Sequence, residues 1–163
     1  MQKILFVVAL LFAQLAAAAA QPQRVTFDTG LAPGSILVDQ AERKLYLTLE
    51  SGQSLVYRVA VGRDGFRWSG THKVSRKAEW PDWIPPKEML ARQKHLPRFM
   101  AGGPGNPLGA AALYIGDTLY RIHGSDSPST IGMAVSSGCF RMTNKDVSDL
   151  FKRVQIGATV VVR

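Results

Sequence analysis

Residues 35–62 read SILVDQAERKLYLTLESGQSLVYRVAVG and set the expected fold class of the chain. Leucines alternate with polar and aromatic residues in the middle of this stretch, which is the period of a half-buried strand. The short polar sequences QAER and SGQ interrupt the apolar runs, as turns do in a β-meander. We therefore predict three consecutive strands, at 35–39, 44–50 and 54–62.

Further strands follow along the chain. WSGTHKVSRK, residues 68–77, is compatible with another strand. AALYIGDTLYRIH, residues 111–123, places Gly116 and Asp117 between two alternating apolar runs. A Gly-Asp pair in that position predicts a hairpin with a two-residue turn.

A helix and a last strand are predicted at the C-terminal end. Apolar residues recur at helical spacing over roughly 145–155, and Thr143 or Asn144 can cap the helix. TVVVR, residues 159–163, predicts a final strand. The chain is therefore expected to be mainly β, with one or two short helices.

The first twenty residues, MQKILFVVALLFAQLAAAAA, predict a secretory signal peptide. Lys3 supplies a positive start, residues 4–15 form an apolar core, and an alanine run suits cleavage after Ala20. The core is shorter than the roughly 20 residues that span a bilayer. Since no other long apolar run exists, we expect no transmembrane segment in the mature chain, which would begin with a lead-in segment at 21–34.

The chain is basic, with a formal net charge of +8 and a sequence pI of about 10.0. A basic exported protein suits a polyanionic partner such as a cell envelope. Part of the excess of Lys and Arg lies in residues 63–98. No nucleic-acid-binding motif is present, so we expect no nucleic acid as partner.

Cys139 is the only cysteine of the chain. In an oxidising compartment a single cysteine indicates an intermolecular bridge, a buried inert thiol or a reactive thiol. His123 precedes it and the intervening loop can bring the two together. One cysteine and three histidines without ligand spacing make a metal site unexpected, and no cofactor is predicted.

A reactive Cys139 would need a base and an oxyanion site. The thiolate is the nucleophilic form, and His123 can take the thiol proton. Gly138 permits an unusual backbone angle beside the sulfur. The backbone N–H groups of Ser137, Gly138 and Cys139 can then face a developing oxyanion.

The segment IHGSDSPSTIGMAVSSGCFRMTNKDV, residues 122–147, resembles the signature of the L,D-transpeptidase catalytic domain, also called the YkuD domain. That signature runs H-G, I-G, then S-x-G-C followed by an aliphatic residue, Arg and Met or Leu, with an Asp shortly after. The matching residues are His123, Gly124, Ile131, Gly132, Ser136, Gly138, Cys139, Arg141, Met142 and Asp146. The resemblance covers about residues 35–163. Two positions depart from it: Ser137 stands where many relatives have His, and Phe140 where they have Ile or Val.

The resemblance implies a β-sandwich of mixed sheets with Cys139 and His123 in a groove, acting in the periplasm on peptidoglycan stem peptides. Cys139 would attack the carbonyl before the terminal D-Ala and form an acyl-enzyme. A neighbouring stem, an amino acid, an envelope protein or water would then accept the acyl group. The family implies His123 as base and acid, oriented by the carbonyl of Gly124. An L,D-carboxypeptidase, a crosslink-cleaving peptidase and a non-catalytic peptidoglycan-binding module are the alternatives.

Arg141, two residues after Cys139, has two interpretations, and Asp146 has one. Arg141 can hold a substrate carboxylate with its forked donors, or it can form a structural ion pair with Asp146. We favour the ion pair. Asp146 is expected in the first turn of the helix, where a carboxylate is stabilising. His72 and His95 lie in no motif and are not assigned to the site.

Residues 78–109 hold most of the prolines and cannot form a central strand. PPKEMLARQ, residues 85–93, can form only a short helix. A long ordered loop is often a binding wall. We expect Trp80 and Trp83 to pin its start against the strands, and AGGPGNPLG, residues 101–109, to run beside the catalytic cleft.

Overall fold

A computed structural model describes residues 22–163, so the signal peptide predicted at 1–20 lies outside the described residues. The elements follow in this order: β1 Gln23–Thr26, β2 Ile36–Asp39, β3 Lys44–Thr48, β4 Gln53–Arg58, β5 Val61–Gly62, β6 Gly70–Glu79, α1 Lys87–Arg92, β7 Ala111–Ile115, β8 Arg121–His123, a 3₁₀ turn at Pro128–Thr130, β9 Ala134–Ser136, β10 Phe140–Arg141, α2 Asn144–Arg153 and β11 Thr159–Val162. Among the described residues no helix has the length and apolarity needed to cross a membrane.

Nine strands form a mixed sheet in the order β1-β4-β3-β2-β11-β6-β7-β8-β10. The pairs β2–β11 and β8–β10 are parallel, and the other pairs are antiparallel. The long strand β6 serves both halves of the sheet: Gly70–Lys73 pair with β11, and Val74–Glu79 pair with β7. A register irregularity lies between Val74 and Arg76, where β6 passes from one half to the other. The predicted mainly β class with a mixed sheet is confirmed.

Side chains from both halves of the sheet and from α2 share one core. Fully buried members include Ile36 and Leu45 from the meander, Leu113 from β7 and Leu150 from α2. Burial of apolar side chains stabilises the fold by roughly 25 cal/mol per Å² of apolar surface removed from water. This common core joins the meander at one end of the sheet to β7, β8 and β10 at the other.

The predicted meander is present, but its third strand is interrupted. β4 ends at Arg58, and β5 leaves the sheet to pair in parallel with β9. Val59, Ala60 and Val61 are all fully buried, so this run has no solvent face and cannot continue the alternation of β4. The lead-in segment 21–34 also differs from expectation, because Gln23–Thr26 pair with β4 as an edge strand.

The hairpin of β7 and β8 has a longer connection than predicted. The connection runs over residues 116–120. The N–H of Gly116 donates to the carbonyl of Lys73 at 2.8 Å, and the hydroxyl of Thr118 donates to the carbonyl of Ile115 at 2.6 Å. The Thr118 N–H also donates to the Ile115 carbonyl at 3.2 Å, so Gly116 and Asp117 are the central residues of a β-turn as predicted. Pairing with the second strand resumes only at Tyr120, whose carbonyl accepts a hydrogen bond from the N–H of Ile115.

Helix α2 matches its predicted position. The Thr143 hydroxyl accepts the Asp146 N–H at 3.1 Å and donates to the Asp146 carboxylate at 2.8 Å, a reciprocal cap of the first turn. Val147 and Leu150 are its buried residues. The helix ends at Arg153 because Val154 is extended and fully buried in the core.

The proline-rich segment is ordered mainly by backbone and amide bonds. α1 is the short helix predicted there, and Trp83 is buried as expected. The prediction for Trp80 was wrong, since its side chain is 45% exposed and only its N–H is anchored, to the Ala110 carbonyl. Buried Asn106 holds the glycine-rich end by donating to the carbonyls of Met100 and Ala101.

Candidate active site

Two parallel strands bring the predicted histidine and cysteine to one place. β8 ends at His123, and β10 begins directly after Cys139, with Phe140 opposite Ile122 and Arg141 opposite His123. Phe140 and Ile122 are fully buried in the core. Because side chains alternate along a strand, their neighbours point to the other face of the sheet.

That other face lines a cleft of about 480 Å³. Cys139, Arg141, His123 and Arg121 all contribute to its lining. The remaining walls are the end of β9, the turn after β5, helix α1 and the pair Pro107 and Leu108. The proline-rich segment therefore forms one wall of the cleft through α1 as well as through its glycine-rich end.

The imidazole of His123 is held by its own neighbour. Its Nδ1 lies 2.7 Å from the carbonyl oxygen of Gly124, and the side chain is only 4% exposed. A carbonyl oxygen can only accept, so Nδ1 carries the proton and Nε2 keeps a lone pair. The Nε2 atom of His123 is therefore unprotonated and can accept a hydrogen bond or a proton.

Burial first, and then the positive charges of Arg141 and Arg121, lower the pKa of His123 from 6.5 to about 3, although the backbone hydrogen bond to Gly124 acts in the opposite direction. Desolvation favours the uncharged form of an imidazole. His123 is therefore neutral at neutral pH and available as a proton acceptor.

Cys139 is half-buried and unpaired. Burial raises the pKa of its thiol, while the positive charges of Arg121 and Arg141 act in the opposite direction. The balance favours the protonated thiol at neutral pH. A neutral thiol and a neutral imidazole thus share the cleft.

Gly138 shapes residues 136–139, here called the nucleophile loop because it carries the candidate nucleophile Cys139. Its φ of 107° lies in the left-handed region, and a Cβ built there would stand 2.3 Å from Cε1 of Tyr120. The indole N–H of Trp68 donates to the Gly138 carbonyl at 2.8 Å, and the Trp68 ring stacks on Tyr120 with centroids 4.6 Å apart. Only glycine fits between the loop and this aromatic pair.

The buried hydroxyl of Ser136 fixes the backbone on both sides of Gly138. It accepts the Gly138 N–H at 3.1 Å and donates to the Cys139 carbonyl at 2.6 Å. This corrects the oxyanion prediction for Gly138, whose N–H is already engaged. The N–H groups of Ser137 and Cys139 have no acceptor among residues 22–163 and can face a ligand.

Arg141 lines the cleft, and the ion pair expected with Asp146 is not formed. The Asp146 carboxylate accepts from the Thr143 hydroxyl as part of the α2 cap. None of the ion pairs among residues 22–163 includes Arg141. The helix cap satisfies the carboxylate, which leaves the Arg141 guanidinium on the cleft side.

Sequence reasoning missed Arg121 and Trp68. Arg121 and Cys139 directly precede the paired residues Ile122 and Phe140, so they lie beside each other on neighbouring strands. The buried Nε of Arg121 has no hydrogen-bond partner within residues 22–163. Its spacing of two from His123 on one strand is the signal that places both on the same face. Trp68 has no such signal, because its contact with the Gly138 carbonyl spans 70 positions. His72 packs edge-on against Trp68 and is not among the residues that line the cleft.

Known proteins similar to this chain belong to the family that the sequence motif indicated. The YkuD family model, described as the L,D-transpeptidase catalytic domain, matches residues 33–162. The probable L,D-transpeptidase ErfK/SrfK of Escherichia coli K12 is 36% identical over 150 residues, which cover 86% of this chain and 47% of that protein. The chain thus spans about half the length of that relative.

Solved structures share the fold. One from Brucella melitensis, called a probable carnitine operon oxidoreductase, is 47% identical, covers 86% of this chain and 91% of its own, and has a TM-score of 0.60. Its name refers to a different activity and concerns that protein alone. The catalytic domain of an Enterococcus faecium L,D-transpeptidase, solved acylated by ertapenem, is 19% identical, covers 79% and 95%, and has a TM-score of 0.60. At that identity the likeness shows the fold only.

The family match covers most of the chain, and ErfK/SrfK exceeds 30% identity over most of it. Both name the same enzyme family. The chain therefore belongs to the L,D-transpeptidase catalytic domain family, whose members are enzymes.

Proposed function

We propose that the protein is an exported cysteine L,D-transpeptidase that acts on peptidoglycan stem peptides in the periplasm and takes part in building the cell wall. One observation carries the proposal: His123, with Nδ1 against the Gly124 carbonyl, lies on the strand that pairs with the strand after Cys139, in the same cleft. The signal-like sequence at residues 1–20 supports export.

The first half-reaction makes an acyl-enzyme. Nε2 of His123 takes the thiol proton while Sγ of Cys139 attacks the carbonyl between the third residue of the stem and the terminal D-Ala. The N–H groups of Ser137 and Cys139 donate to the oxyanion that forms. As the C–N bond breaks, His123 returns the proton to the leaving nitrogen, so D-Ala departs with a neutral amine and a thioester remains.

The second half-reaction transfers the acyl group. An acceptor amine attacks the thioester, His123 takes the amine proton, and the sulfur leaves as a thiolate that recovers this proton. The amine can come from a neighbouring stem, an amino acid or an envelope protein. Water in its place would make the protein an L,D-carboxypeptidase, and a crosslink as donor would make it a peptidase; both reactions use the same residues.

The charges of the site support catalysis over simple binding of peptidoglycan. A neutral His123 is ready to accept a proton, and the arginines beside Cys139 stabilise negative charge on the sulfur. A module that only binds the wall would not need a half-buried thiol next to an oriented imidazole. This is the feature that separates the favoured function from the non-catalytic alternative.

The proposal is tested by incubating the protein with a tetrapeptide stem and an acceptor stem and identifying products by mass spectrometry. We expect released D-Ala and a crosslinked product, both absent with Cys139→Ala. Release of D-Ala without any crosslink would assign the carboxypeptidase reaction. Binding of the stem without release of D-Ala would contradict enzymatic function on this substrate.

A further inference from the structure

The cleft carries a strong excess of positive charge. Arg63, Arg92, Arg121 and Arg141 line it, and Glu88 is the one carboxylate among its lining residues. None of the four arginines takes part in an ion pair within residues 22–163. Guanidinium groups that face a cleft without a carboxylate partner favour an anionic ligand there.

Two of these arginines meet at a single aromatic ring. The guanidinium carbon of Arg63 lies 4.0 Å from the ring centroid of Phe66, and that of Arg92 lies 4.9 Å from the same centroid. Arg63 and Phe66 belong to the turn after β5, whereas Arg92 is the last residue of α1. Stacking on an aromatic face leaves the N–H edge of a guanidinium free to bind an acceptor.

Arg63 is also tied to the nucleophile loop. Its Nη1 donates to the hydroxyl of Ser137 at 3.0 Å and to the carbonyl of Ser136 at 3.3 Å. A guanidinium has five N–H donors, so others are left for a ligand. These bonds fix the position of the Arg63 guanidinium relative to Ser137, two residues before Cys139. A group bound to Arg63 therefore lies at a fixed distance from the nucleophile loop.

We propose that Arg63 and Arg92, held by Phe66, form a subsite for a free carboxylate of the acyl-donor peptide. This subsite rests on the function proposed above. In that function, Arg63 and Arg92 are the residues that select the acyl-donor peptide. Guanidinium groups match a carboxylate with paired hydrogen bonds and lose that match with a carboxamide. The subsite therefore favours donor stems with free carboxylates over amidated ones. The candidate carboxylates are the one on the terminal D-Ala and the one on the side chain of the third residue.

The experiment compares Arg92→Gln with Arg98→Gln in the full protein. Arg98 is exposed on the same segment and does not line the cleft, so its variant removes the same charge elsewhere. Release of the terminal residue, as D-Ala or as D-alaninamide where the terminus is amidated, is measured from the free-acid tetrapeptide, from peptides amidated at each carboxylate in turn, and from a fully amidated peptide. Alkylation of Cys139 by iodoacetamide, an uncharged reagent, reports on the nucleophile separately.

Arg92→Gln should lower kcat/KM on the free-acid peptide about fivefold, mainly through KM, as loss of one exposed charge pair would. It should have no effect on the fully amidated peptide or on alkylation, and Arg98→Gln should stay within about twofold throughout. The singly amidated peptide that abolishes the Arg92→Gln effect identifies the bound carboxylate. An equal loss on free and fully amidated peptides, or no loss on either, overturns the subsite alone. Absence of D-Ala release by the unaltered protein overturns the proposed function and the subsite with it.

Discussion

The Nδ1 atom of His123 lies 2.7 Å from the carbonyl oxygen of Gly124, the residue that follows it. This backbone bond fixes the tautomer of the imidazole, as a carboxylate does in the Ser-His-Asp triad, and in the proposed mechanism it orients Nε2 for proton transfer from Cys139. A carbonyl carries no net charge, so it stabilises an imidazolium less than a carboxylate would. The low pKa of His123 has other causes: burial comes first, the positive charge of Arg141 comes second, and the hydrogen bond to Gly124 acts in the opposite direction.

The depressed pKa of His123 makes stability depend on pH. Below about pH 6.5 the unfolded chain protonates this histidine, whereas the native imidazole stays neutral down to about pH 3. The contribution of His123 to the free energy of unfolding is therefore complete above pH 6.5. As the pH falls from 6.5 towards 3, this contribution decreases by about 1.4 kcal/mol per pH unit. Urea unfolding at several pH values measures this slope.

His123→Ala should remove that part of the slope between pH 6.5 and 3. His95→Ala, at an exposed histidine, is the matched control and should keep the wild-type slope. An unchanged slope in His123→Ala would show that the native imidazole titrates like that of the unfolded chain, contrary to its burial.

Arg121 is expected to tune the thiol of Cys139. Its positive charge opposes the rise in the thiol pKa that burial causes. Arg121→Gln should move the pH profile of iodoacetamide alkylation to higher pH and slow alkylation at pH 7 by roughly three- to tenfold. Arg98→Gln should leave the profile in place. A profile that does not move in Arg121→Gln would mean that the guanidinium does not act on the sulfur.

Gly138→Ala tests the packing of the nucleophile loop. Both Gly138 and Gly105 have a positive φ, but a Cβ meets Tyr120 at Gly138 and nothing within 4 Å at Gly105. Gly105→Ala should cost only the backbone strain of about 1–2 kcal/mol. Gly138→Ala should lower the free energy of unfolding by clearly more and should slow acylation of Cys139 by at least about tenfold. Equal effects of the two substitutions would contradict the close contact with Tyr120.

Ser136→Ala tests the hydroxyl that connects Gly138 to Cys139. The substitution leaves the Gly138 N–H and the Cys139 carbonyl without this partner, at a cost of about 1–3 kcal/mol in unfolding free energy. The loop should also become less ordered, so acylation should slow. Ser137→Ala removes only the contact with Arg63 and should cost less than about 1 kcal/mol. A larger cost for Ser137→Ala would contradict the assigned roles of the two serines.

Sequence patterns predicted the strands and the helix whose formation depends on residues close together in the chain. The helical spacing after Thr143 specifies α2 because that helix buries one face, with Val147 and Leu150. The alternation of residues 44–50 predicted β3 correctly, although Tyr46 and Thr48 on its other face are buried as well. The match of residues 122–147 to a known family signature also predicted that His123 and Cys139 belong to one site. Sequence reasoning failed where distant groups compete for the same atoms. Ser136 takes the Gly138 N–H that was assigned to an oxyanion.

The other differences between prediction and structure have separate causes, one of them local. Asp146 is satisfied by Thr143, so the Arg141 ion pair does not form. The connection after Ile115 is longer than the predicted two residues, and its Gly116 N–H bonds to Lys73 on a neighbouring strand. Trp68 reaches the Gly138 carbonyl across 70 positions, and no pattern near Trp68 reveals this contact.

Acylation of Cys139 by ertapenem, read as the mass of the intact protein, tests the central claim most directly. The unaltered protein should gain one ertapenem mass, and Cys139→Ala should gain none. His123→Ala should acylate more slowly by roughly 10²- to 10⁴-fold, the usual effect of losing a general base, whereas His72→Ala should match the unaltered protein. An adduct that persists in Cys139→Ala, or equal slowing by the two histidine substitutions, would contradict the assignment of Cys139 as nucleophile and His123 as its base.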